Sequence, residues 1–229
     1  MQLLSRALDL LFTAGCGSCD RPCDAGLCDV CAVSLVATGP ACPSCAEPSS
    51  DNSACRLCRA APPPFTRLTA PFVYGGELAV ALRRLKFDGR REIARALAPL
   101  LAPSMARAAR DADVVMPVPL HRRRLARRGF NQAALLAKHA RLDRPIDVLG
   151  LVRIRATVPQ SGLDRLARRR NVDGAFAVPP GRLAHVAGRA ILLVDDVATT
   201  GATLTAAARA LRAAGAAEVT AYCAARAET

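Results

Sequence analysis

The sequence predicts an α/β protein in which a parallel sheet flanked by helices follows a small cysteine-rich module. Aliphatic runs of strand length alternate along the chain with segments whose apolar residues recur at helical spacing, the order expected of a parallel sheet. Nine of the ten cysteines precede residue 59, so the cysteine-rich part is separate in sequence from the α/β part. At 229 residues, the chain can hold one well-cored domain and a smaller module.

The stretch 188–204 contains the strongest signal of the α/β part. Residues 191–194 form an uninterrupted aliphatic run, as a strand buried on both faces requires. Asp195 and Asp196 follow, then a short run of small and hydroxylated residues, and then a segment with helical spacing. A strand, a small-residue turn and a helix start direct backbone N–H groups at a phosphate. The two carboxyl groups indicate that the ligand also presents hydroxyl groups, as a ribose 5-phosphate does. The alternative is an ordinary βα unit whose aspartates cap the helix.

The cysteine-rich part contains four CxxC pairs, which are Cys16/Cys19, Cys28/Cys31, Cys42/Cys45 and Cys55/Cys58. A CxxC turn suits two corners of a tetrahedral Zn²⁺ site, so four turns can build two Cys₄ sites. Few large apolar residues are present, and structural zinc is therefore expected to stabilise this segment. A disulfide framework is disfavoured because we find no secretory signal peptide. The spacing leaves open whether the pairs combine sequentially or alternately, and whether one or two ions bind.

Composition narrows the classes of partner. The net charge is +13, almost wholly from arginine, which favours phosphorylated or polyanionic partners and salt-sensitive binding. A solvated basic surface is the alternative. The sequence has no apolar run of about 18 residues, so no membrane span is predicted and a cytoplasmic protein is expected.

The proline-rich segment 60–65 predicts a stiff linker. It divides the chain into an N-terminal helix and zinc module (1–61) and an α/β domain (62–229). Within that domain we predict strands over 72–74, 113–116, 148–154, 191–194 and 218–225, and helices over 77–87, 92–101 and 131–141. Lys86 is one of two lysines in an arginine-rich chain, which hints at a specific contact. A surface lysine at a helix end is the favoured alternative.

Two basic segments flank the predicted site. The first follows strand 113–116 and contains Arg122, Arg123, Arg124, Arg127 and Arg128. Parallel-sheet proteins bind ligands at the carboxyl ends of their strands. Cations at a helix start oppose its dipole, so an anion is expected there. The second, 160–176, is polar, basic and punctuated by glycine, which predicts a mobile lid or, alternatively, a plain surface loop with a basic helix turn.

Several motifs resemble known families. The D-D-V-x-T-T-G-x-T stretch resembles the phosphoribosyl pyrophosphate (PRPP) signature of type I phosphoribosyltransferases. The order of the motifs along nearly the whole chain resembles that of the competence protein F family. The motifs are four CxxC knuckles, a proline-rich linker, PVPLH, R-R-G-F-N-Q-A, Q-S-G-L with a later R-x-x-N, and the acidic motif. The resemblance implies a parallel-sheet type I phosphoribosyltransferase fold behind a zinc-ribbon module.

The resemblance also implies roles for individual residues. Asp195 and Asp196 would hold the ribose hydroxyl groups, and Arg168 would act from the lid. The PRPP-binding residues would be Leu120, His121, Arg124, Arg128, Ala198, Thr199, Thr200, Gly201, Ala202 and Thr203. Mg²⁺ would bind with PRPP.

The implied chemistry is displacement of pyrophosphate from C1 of PRPP by an unknown acceptor, since we identify no base-stacking aromatic residue near Asp196. The family also implies a link to DNA uptake, with single-stranded DNA and a DNA-uptake helicase as partners, or to nucleotide metabolism. Two alternatives use the same fold without catalysis, namely a single-stranded-DNA-binding protein and a PRPP sensor.

Overall fold

A computed structural model describes residues 15–23, 26–157 and 165–227. The predicted N-terminal helix within 1–14 and the Q-S-G-L part of the predicted lid lie outside the described residues. In chain order, the strands are β1 (Leu68–Thr69), β2 (Phe72–Val73), β3 (Val114–Pro117), β4 (Val152–Arg153), β5 (Phe176–Ala177), β6 (Ala190–Ala198) and β7 (Glu218–Arg226). The helices are α1 (Asp29–Val33), α2 (Arg56–Ala60), α3 (Gly76–Phe87), α4 (Glu92–Ala108), α5 (Arg122–Arg128), α6 (Gln132–His139), α7 (Arg165–Val172) and α8 (Ala202–Ala213), with a 3₁₀ helix over Pro180–His185.

The main sheet is parallel, which confirms the predicted fold class. Its strand order is β1-β7-β6-β3, and β2 also pairs with β7. β1 and β2 lie along the same edge of β7, at Ala221–Tyr222 and at Ala225–Arg226. Pro71 separates the two short strands, and because proline has no N–H group it cannot continue the ladder.

The central strand β6 packs against helices on both of its faces. Ile191 and Leu193 lie in the same buried cluster as the inner residues of α8. Leu192 and Val194 lie in a second cluster with residues of α4 and α6. This alternation follows the two-residue period of a strand, and burial on both faces explains the continuous aliphatic run.

Two predicted elements differ from those observed. The predicted strand 148–154 is reduced to β4, which pairs antiparallel with β5 in a separate two-stranded ribbon. Asp147 forms the turn before it, since its Oδ1 accepts hydrogen bonds from the backbone N–H groups of Leu149 and Gly150. The helix predicted to end near residue 101 continues to Ala108 through Pro99 and Pro103. Both prolines are exposed, so water can bind the carbonyl groups that they leave unpaired.

The cysteine-rich module packs against the α/β part. Cys16, Leu27 and Cys31 belong to one buried cluster with the apolar residues of α3 and α4. Gly26 lies against α4 so closely that an added Cβ would be 2.1 Å from the Cβ of Ala96. These contacts place the first pair of knuckles on the outer surface of α3 and α4.

A second contact joins the module to the sheet edge. Ala37 forms an antiparallel bridge with Phe72, and the N–H group of Thr38 donates to the carbonyl oxygen of Pro71 at 2.9 Å. The module therefore covers the outer edge of β2. The boundary at residues 61 and 62 stays a prediction. No helix in the described ranges is long and apolar enough to cross a bilayer.

Candidate functional site

The acidic pair lies inside β6 rather than after it, at the sixth and seventh of the nine residues of the strand. Asp195 is 9% exposed and Asp196 is 3% exposed. Asp195 is in register with Cys223 of β7, which is completely buried. The backbone N–H group of Asp196 donates to Oδ1 of Asp195 at 2.9 Å. The neighbouring strand thus fixes both carboxyl groups at the carboxyl end of the sheet.

Lys86 forms an ion pair with Oδ2 of Asp196. The favoured expectation, a surface lysine at a helix end, is therefore wrong. Leu78, Leu82 and Leu85 anchor α3 in the core, and this leaves its last turn beside the end of β6. No local sequence pattern could have found this pair, because 110 positions separate its members. The signal that hinted at it was the use of lysine in a chain that otherwise uses arginine.

The two carboxyl groups have opposite electrostatic surroundings. Burial and the adjacent Asp196 raise the pKa of Asp195 well above its ordinary value. Burial also opposes ionisation of Asp196, but the charge of Lys86 and the polar contacts around the carboxylate together outweigh burial and lower the pKa of Asp196. The same pair raises the pKa of Lys86 despite its burial. Asp196 is therefore the carboxylate of the pair, and Asp195 is the group that keeps its proton to higher pH.

The predicted phosphate loop connects β6 to α8. Gly201 is the N-cap of α8 and has φ of 71°, a left-handed conformation that favours glycine. The carbonyl oxygen of Ala198 accepts hydrogen bonds from Arg226 at 3.2 Å and from the N–H group of Ala227 at 2.8 Å. These bonds hold the start of the loop. The positive end of the α8 dipole lies at its other end, where anions are favoured.

The five arginines predicted in a loop after β3 lie on a short helix, α5. His121 caps this helix by accepting a hydrogen bond from the N–H group of Arg123 at 3.3 Å. Arg128 donates to Oε1 of Gln132 at 2.5 Å, and this contact ties α5 to the next helix. Arg124 donates to the carbonyl oxygen of Thr157 at 3.2 Å. α5 is thereby held beside the end of β3.

A cavity of about 660 Å³ lies over the acidic pair. Eight of the predicted site residues line it, namely Asp195, Asp196, Arg168, Thr199, Thr203, Leu120, Arg124 and Arg128. Thr200, Gly201 and Ala202 instead line a second cavity of about 300 Å³ on the other side of the loop. Ala198 is buried behind the loop and His121 caps α5, so neither lines the larger cavity.

The larger cavity also contains Arg83 and Arg153, which the sequence interpretation missed. Its basic lining further includes Lys86 and Arg127, which the sequence analysis singled out without assigning them a ligand contact. Burial and the neighbouring Arg124 lower the pKa of Arg153 to about 10. With the predicted arginines, the lining has seven basic and two acidic residues, which suits an anionic ligand.

Two aromatic residues line the cavity, although the sequence analysis could name none near Asp196. They are Tyr74, after β2, and Phe87, at the end of α3. The guanidinium carbon of Arg128 lies 5.5 Å from the centroid of the Phe87 ring. Phe87 is 72% exposed, which is high for an aromatic side chain. Both residues precede the acidic motif by more than 100 positions, so the sequence alone gave no reason to connect them with it.

The predicted lid is described only in part. Residues 158–164 lie outside the described ranges, and residues 165–172 form α7 rather than a loop. Arg168 is half-buried and lines the cavity from this helix. The structure thus brings Arg168 to the acidic pair, as the resemblance implies.

The eight cysteines of the CxxC pairs form two clusters by sequential pairing, which resolves the alternative left open by the spacing. They are Cys16, Cys19, Cys28 and Cys31, and Cys42, Cys45, Cys55 and Cys58, with the sulfur atoms of each cluster within 4.8 Å of one another. No described cysteine is in a disulfide.

Both clusters fit zinc. Sγ atoms of Cys19 and Cys28 lie 3.7 Å apart, close to the edge of about 3.8 Å of a tetrahedron with zinc–sulfur bonds of about 2.3 Å. The N–H groups of Cys28 and Cys55 each donate to a cluster sulfur at 3.3 Å, as expected around thiolate ligands. Each cluster could therefore hold one Zn²⁺.

Comparison with known proteins agrees with this geometry. Residues 124–229 match the phosphoribosyl transferase domain family. The chain is 37% identical over 206 residues to DNA utilization protein YhgH of Escherichia coli O157:H7, covering 86% of this chain and 89% of the relative. It is 34% identical over 182 residues to competence protein F of Haemophilus influenzae, covering 76% of this chain and 78% of the relative. It is also 31% identical over 186 residues to competence protein ComFC of Bacillus subtilis, covering 76% and 72%. The chain therefore belongs to the competence protein F family and has its phosphoribosyltransferase fold.

Proposed function

We propose that the larger cavity binds PRPP together with Mg²⁺. One observation supports this most. Two adjacent buried carboxyl groups and a threonine-rich loop at a helix N-terminus line the same basic cavity. Asp195 and Asp196 hold the two ribose hydroxyl groups. Thr199 and Thr203 hold the 5-phosphate with the help of the α8 dipole. The arginines of α5 face the pyrophosphate.

The residues of the cavity fit transfer of the phosphoribosyl group to an acceptor. Loss of pyrophosphate from C1 gives the ribose an oxocarbenium-like transition state, so positioning and charge neutralisation are the main tasks of the protein. Arg124, Arg128 and Arg168 neutralise charge on the leaving group. Mg²⁺, held mainly by oxygens of PRPP, would neutralise further charge there, which agrees with the lack of a carboxylate cage among the lining residues.

The test is a calorimetric titration of PRPP with Mg²⁺ into the wild-type chain and into the double variant Asp195→Asn/Asp196→Asn. Loss of both carboxyl groups is expected to weaken binding by about 100-fold, because a hydrogen bond to a charged group such as Asp196 contributes about 1.5–3 kcal/mol and one to a neutral group about 0.5–1.5 kcal/mol. Asp143→Asn is the control, since Asp143 is fully exposed. Equal affinity of the wild-type chain and the double variant would contradict the ribose assignment. Release of pyrophosphate on addition of an acceptor would separate a transferase from a PRPP sensor.

A second function, binding of single-stranded DNA at the same cavity, is favoured by its charge. Seven basic residues line the cavity, and relatives of the chain are named as DNA utilization and competence proteins. Each phosphate neutralised on a single strand adds about −0.7 to the slope of log affinity against log salt. A DNA-uptake helicase would then be a partner that receives or delivers this strand.

The shared cavity is tested by a salt series of DNA binding with and without saturating PRPP and Mg²⁺. PRPP is expected to compete with DNA, and Arg168→Ala is expected to weaken both ligands. Arg110→Ala, at an exposed position outside the cavity, serves as the control. DNA binding that is indifferent to PRPP at every salt concentration would mean two separate sites.

A further inference from the structure

Lys86 has a place in the cavity that neither the family resemblance nor the predicted site residues account for. It lies in the last turn of α3, where a cation is favoured by the helix dipole. Its ammonium group forms an ion pair with Asp196, and its side chain is only 21% exposed. The partner carboxylate is 4% exposed. A buried pair of this kind is costly to break, because either member left alone is an unpaired charge.

Gln132 on α6 lines the cavity with Asp196 and helps to lower the pKa of Asp196. Arg128 on α5 donates a hydrogen bond to Gln132. Gln132 is uncharged, so within the described contacts Lys86 is the cation that touches the carboxylate.

This charge decides which carboxyl group of the pair is ionised. Two adjacent buried carboxyl groups repel when both are charged, and one of them then keeps a proton. Lys86 lies against Asp196, and Asp195 has no comparable cation in contact among the described ion pairs. The titratable groups near Asp196 on the packed elements are Asp195 on β6, Lys86 on α3 with Tyr74 beside it, and Arg128 on α5. Cys223 on β7 is in register with Asp195.

We propose that Lys86 is a positioning residue of the ribose site, whose ammonium group keeps the Asp196 carboxylate ionised and oriented to accept hydrogen bonds from ribose hydroxyl groups. This inference rests on the proposed PRPP function. Lys86 acts through Asp196 and not on the leaving group. Without its charge, the acidic pair would share a proton in the pH range in which the wild-type Asp196 is a carboxylate.

The test compares PRPP dissociation constants, at fixed Mg²⁺, for the wild-type chain, Lys86→Met and Lys86→Arg over a range of pH. We compare the ratio of the Lys86→Met dissociation constant to the wild-type dissociation constant at each pH. The ionisation of PRPP changes both constants by the same factor, so it does not affect this ratio. We expect a ratio of about tenfold or more near pH 6, falling to less than about threefold near pH 9 as the pair loses its shared proton. Lys86→Arg keeps the charge, so its ratio is expected to be independent of pH even where its larger side chain weakens binding. Lys138→Met, which replaces the other lysine at an exposed position, should give a ratio near one.

A Lys86→Met ratio that is independent of pH would overturn the inference, because it would mean that Lys86 contacts a phosphate of the ligand directly or only supports the fold. A ratio near one at every pH would also overturn it. Should Lys86→Met not fold, as judged by circular dichroism, Lys86→Gln replaces it in the same comparison. A wild-type chain that fails to bind PRPP contradicts the proposed function itself. Binding by the wild-type chain with a flat ratio contradicts only the role of Lys86.

Discussion

Asp195 and Asp196 occupy consecutive positions of one strand, yet among the described residues an ion pair is present only at Asp196. Lys86 offsets the cost of burying Asp196, whereas burial and the neighbouring charge raise the pKa of Asp195. When folding raises the pKa of a carboxyl group, the folded state binds the proton more tightly than the unfolded state does. The free energy of unfolding therefore falls as pH rises from the unfolded pKa to the folded pKa of the group. In the ligand-free chain, Asp195 is therefore a source of instability above acidic pH.

Asp195→Asn is expected to stabilise the ligand-free chain, and the gain should grow with pH. It should begin near the ordinary pKa of 3.8 and level off above the raised pKa of Asp195, because the amide has no charge to bury. Urea unfolding at a series of pH values measures the difference. Asp143→Asn provides the control for loss of an exposed carboxylate. Parallel profiles for wild-type and Asp195→Asn chains would show that Asp195 is not buried as described.

Asp196→Asn is expected to act in the opposite direction. It leaves the ammonium group of Lys86 without its partner, at a position that is largely buried. The expected loss is about 1–3 kcal/mol in the free energy of unfolding, less than for a fully buried pair because Lys86 retains some contact with water. The double variant Asp196→Asn/Lys86→Met should recover part of this loss. A loss that the second substitution does not reduce would contradict the ion pair.

At the scale of the elements, the turn between β6 and α8 requires a left-handed backbone conformation at one residue. Gly201 has φ of 71°, and apart from its chain neighbours no atom of the described residues lies within 4 Å of where its Cβ would be. Substitution there is therefore a matter of backbone strain rather than of a clash. Gly188 has nearly the same conformation, φ of 72°, with the same open surroundings, but it lies at the start of β6 rather than at its end.

Gly201→Ala and Gly188→Ala form a matched pair. Each is expected to lower the free energy of unfolding by about 1 kcal/mol, because alanine disfavours the left-handed conformation. Gly201→Ala should also weaken PRPP binding, since the strained turn displaces the N–H groups of the phosphate loop. Gly188→Ala should leave PRPP affinity unchanged. Equal effects of the two variants on PRPP affinity would argue against phosphate binding at this turn.

The cysteine clusters contact different parts of the α/β domain. The first shares a buried cluster with α3 and α4, and Asp20, next to Cys19, pairs with Arg84 of α3 at 2.7 Å. Near the second cluster, Glu47 pairs with the buried Arg226 at the end of β7. Loss of one zinc should therefore have local consequences that differ between the clusters.

Cys28→Ser and Cys55→Ser test this difference. Each should reduce zinc content from two ions to about one per chain, since a Cys₄ site that loses a thiolate binds zinc less tightly. Cys28→Ser should increase amide hydrogen exchange in α3, and Cys55→Ser should increase it at the end of β7. The centre of β6 should remain protected in both. Identical exchange patterns in the two variants would contradict the separate contacts of the clusters.

The sequence predicted most elements because their signals are local. Aliphatic runs specify buried strands such as β6, and helical spacing specifies α3. The helix predicted over 92–101 is seven residues shorter than α4 at its C-terminal end, and the sequence does not reveal that Pro103, within that extension, faces water. The partner of β4 is β5, more than twenty positions further along the chain, so no local pattern indicates that only two residues of the predicted strand 148–154 are paired. The contacts of Lys86, Tyr74 and Phe87 with the acidic motif depend on tertiary packing, so the sequence could supply candidates for the site but not its full lining.

On the scale of the whole molecule, the parallel sheet, the helices on both of its faces and the module on its edge leave one basic cavity at the carboxyl ends of β3 and β6. Its floor is acidic and its walls are basic, a distribution that suits a ligand with hydroxyl groups at its centre and phosphate groups at its ends. PRPP has this distribution, and a phosphate backbone alone does not.

A crystal structure of the chain with PRPP and Mg²⁺ tests this account most directly. We predict that the ribose hydroxyl groups lie within hydrogen-bonding distance of the carboxyl groups of Asp195 and Asp196, with the 5-phosphate at the turn before α8 and the pyrophosphate toward Arg124 and Arg128. PRPP bound with its ribose away from the acidic pair, or bound outside this cavity, would contradict the account.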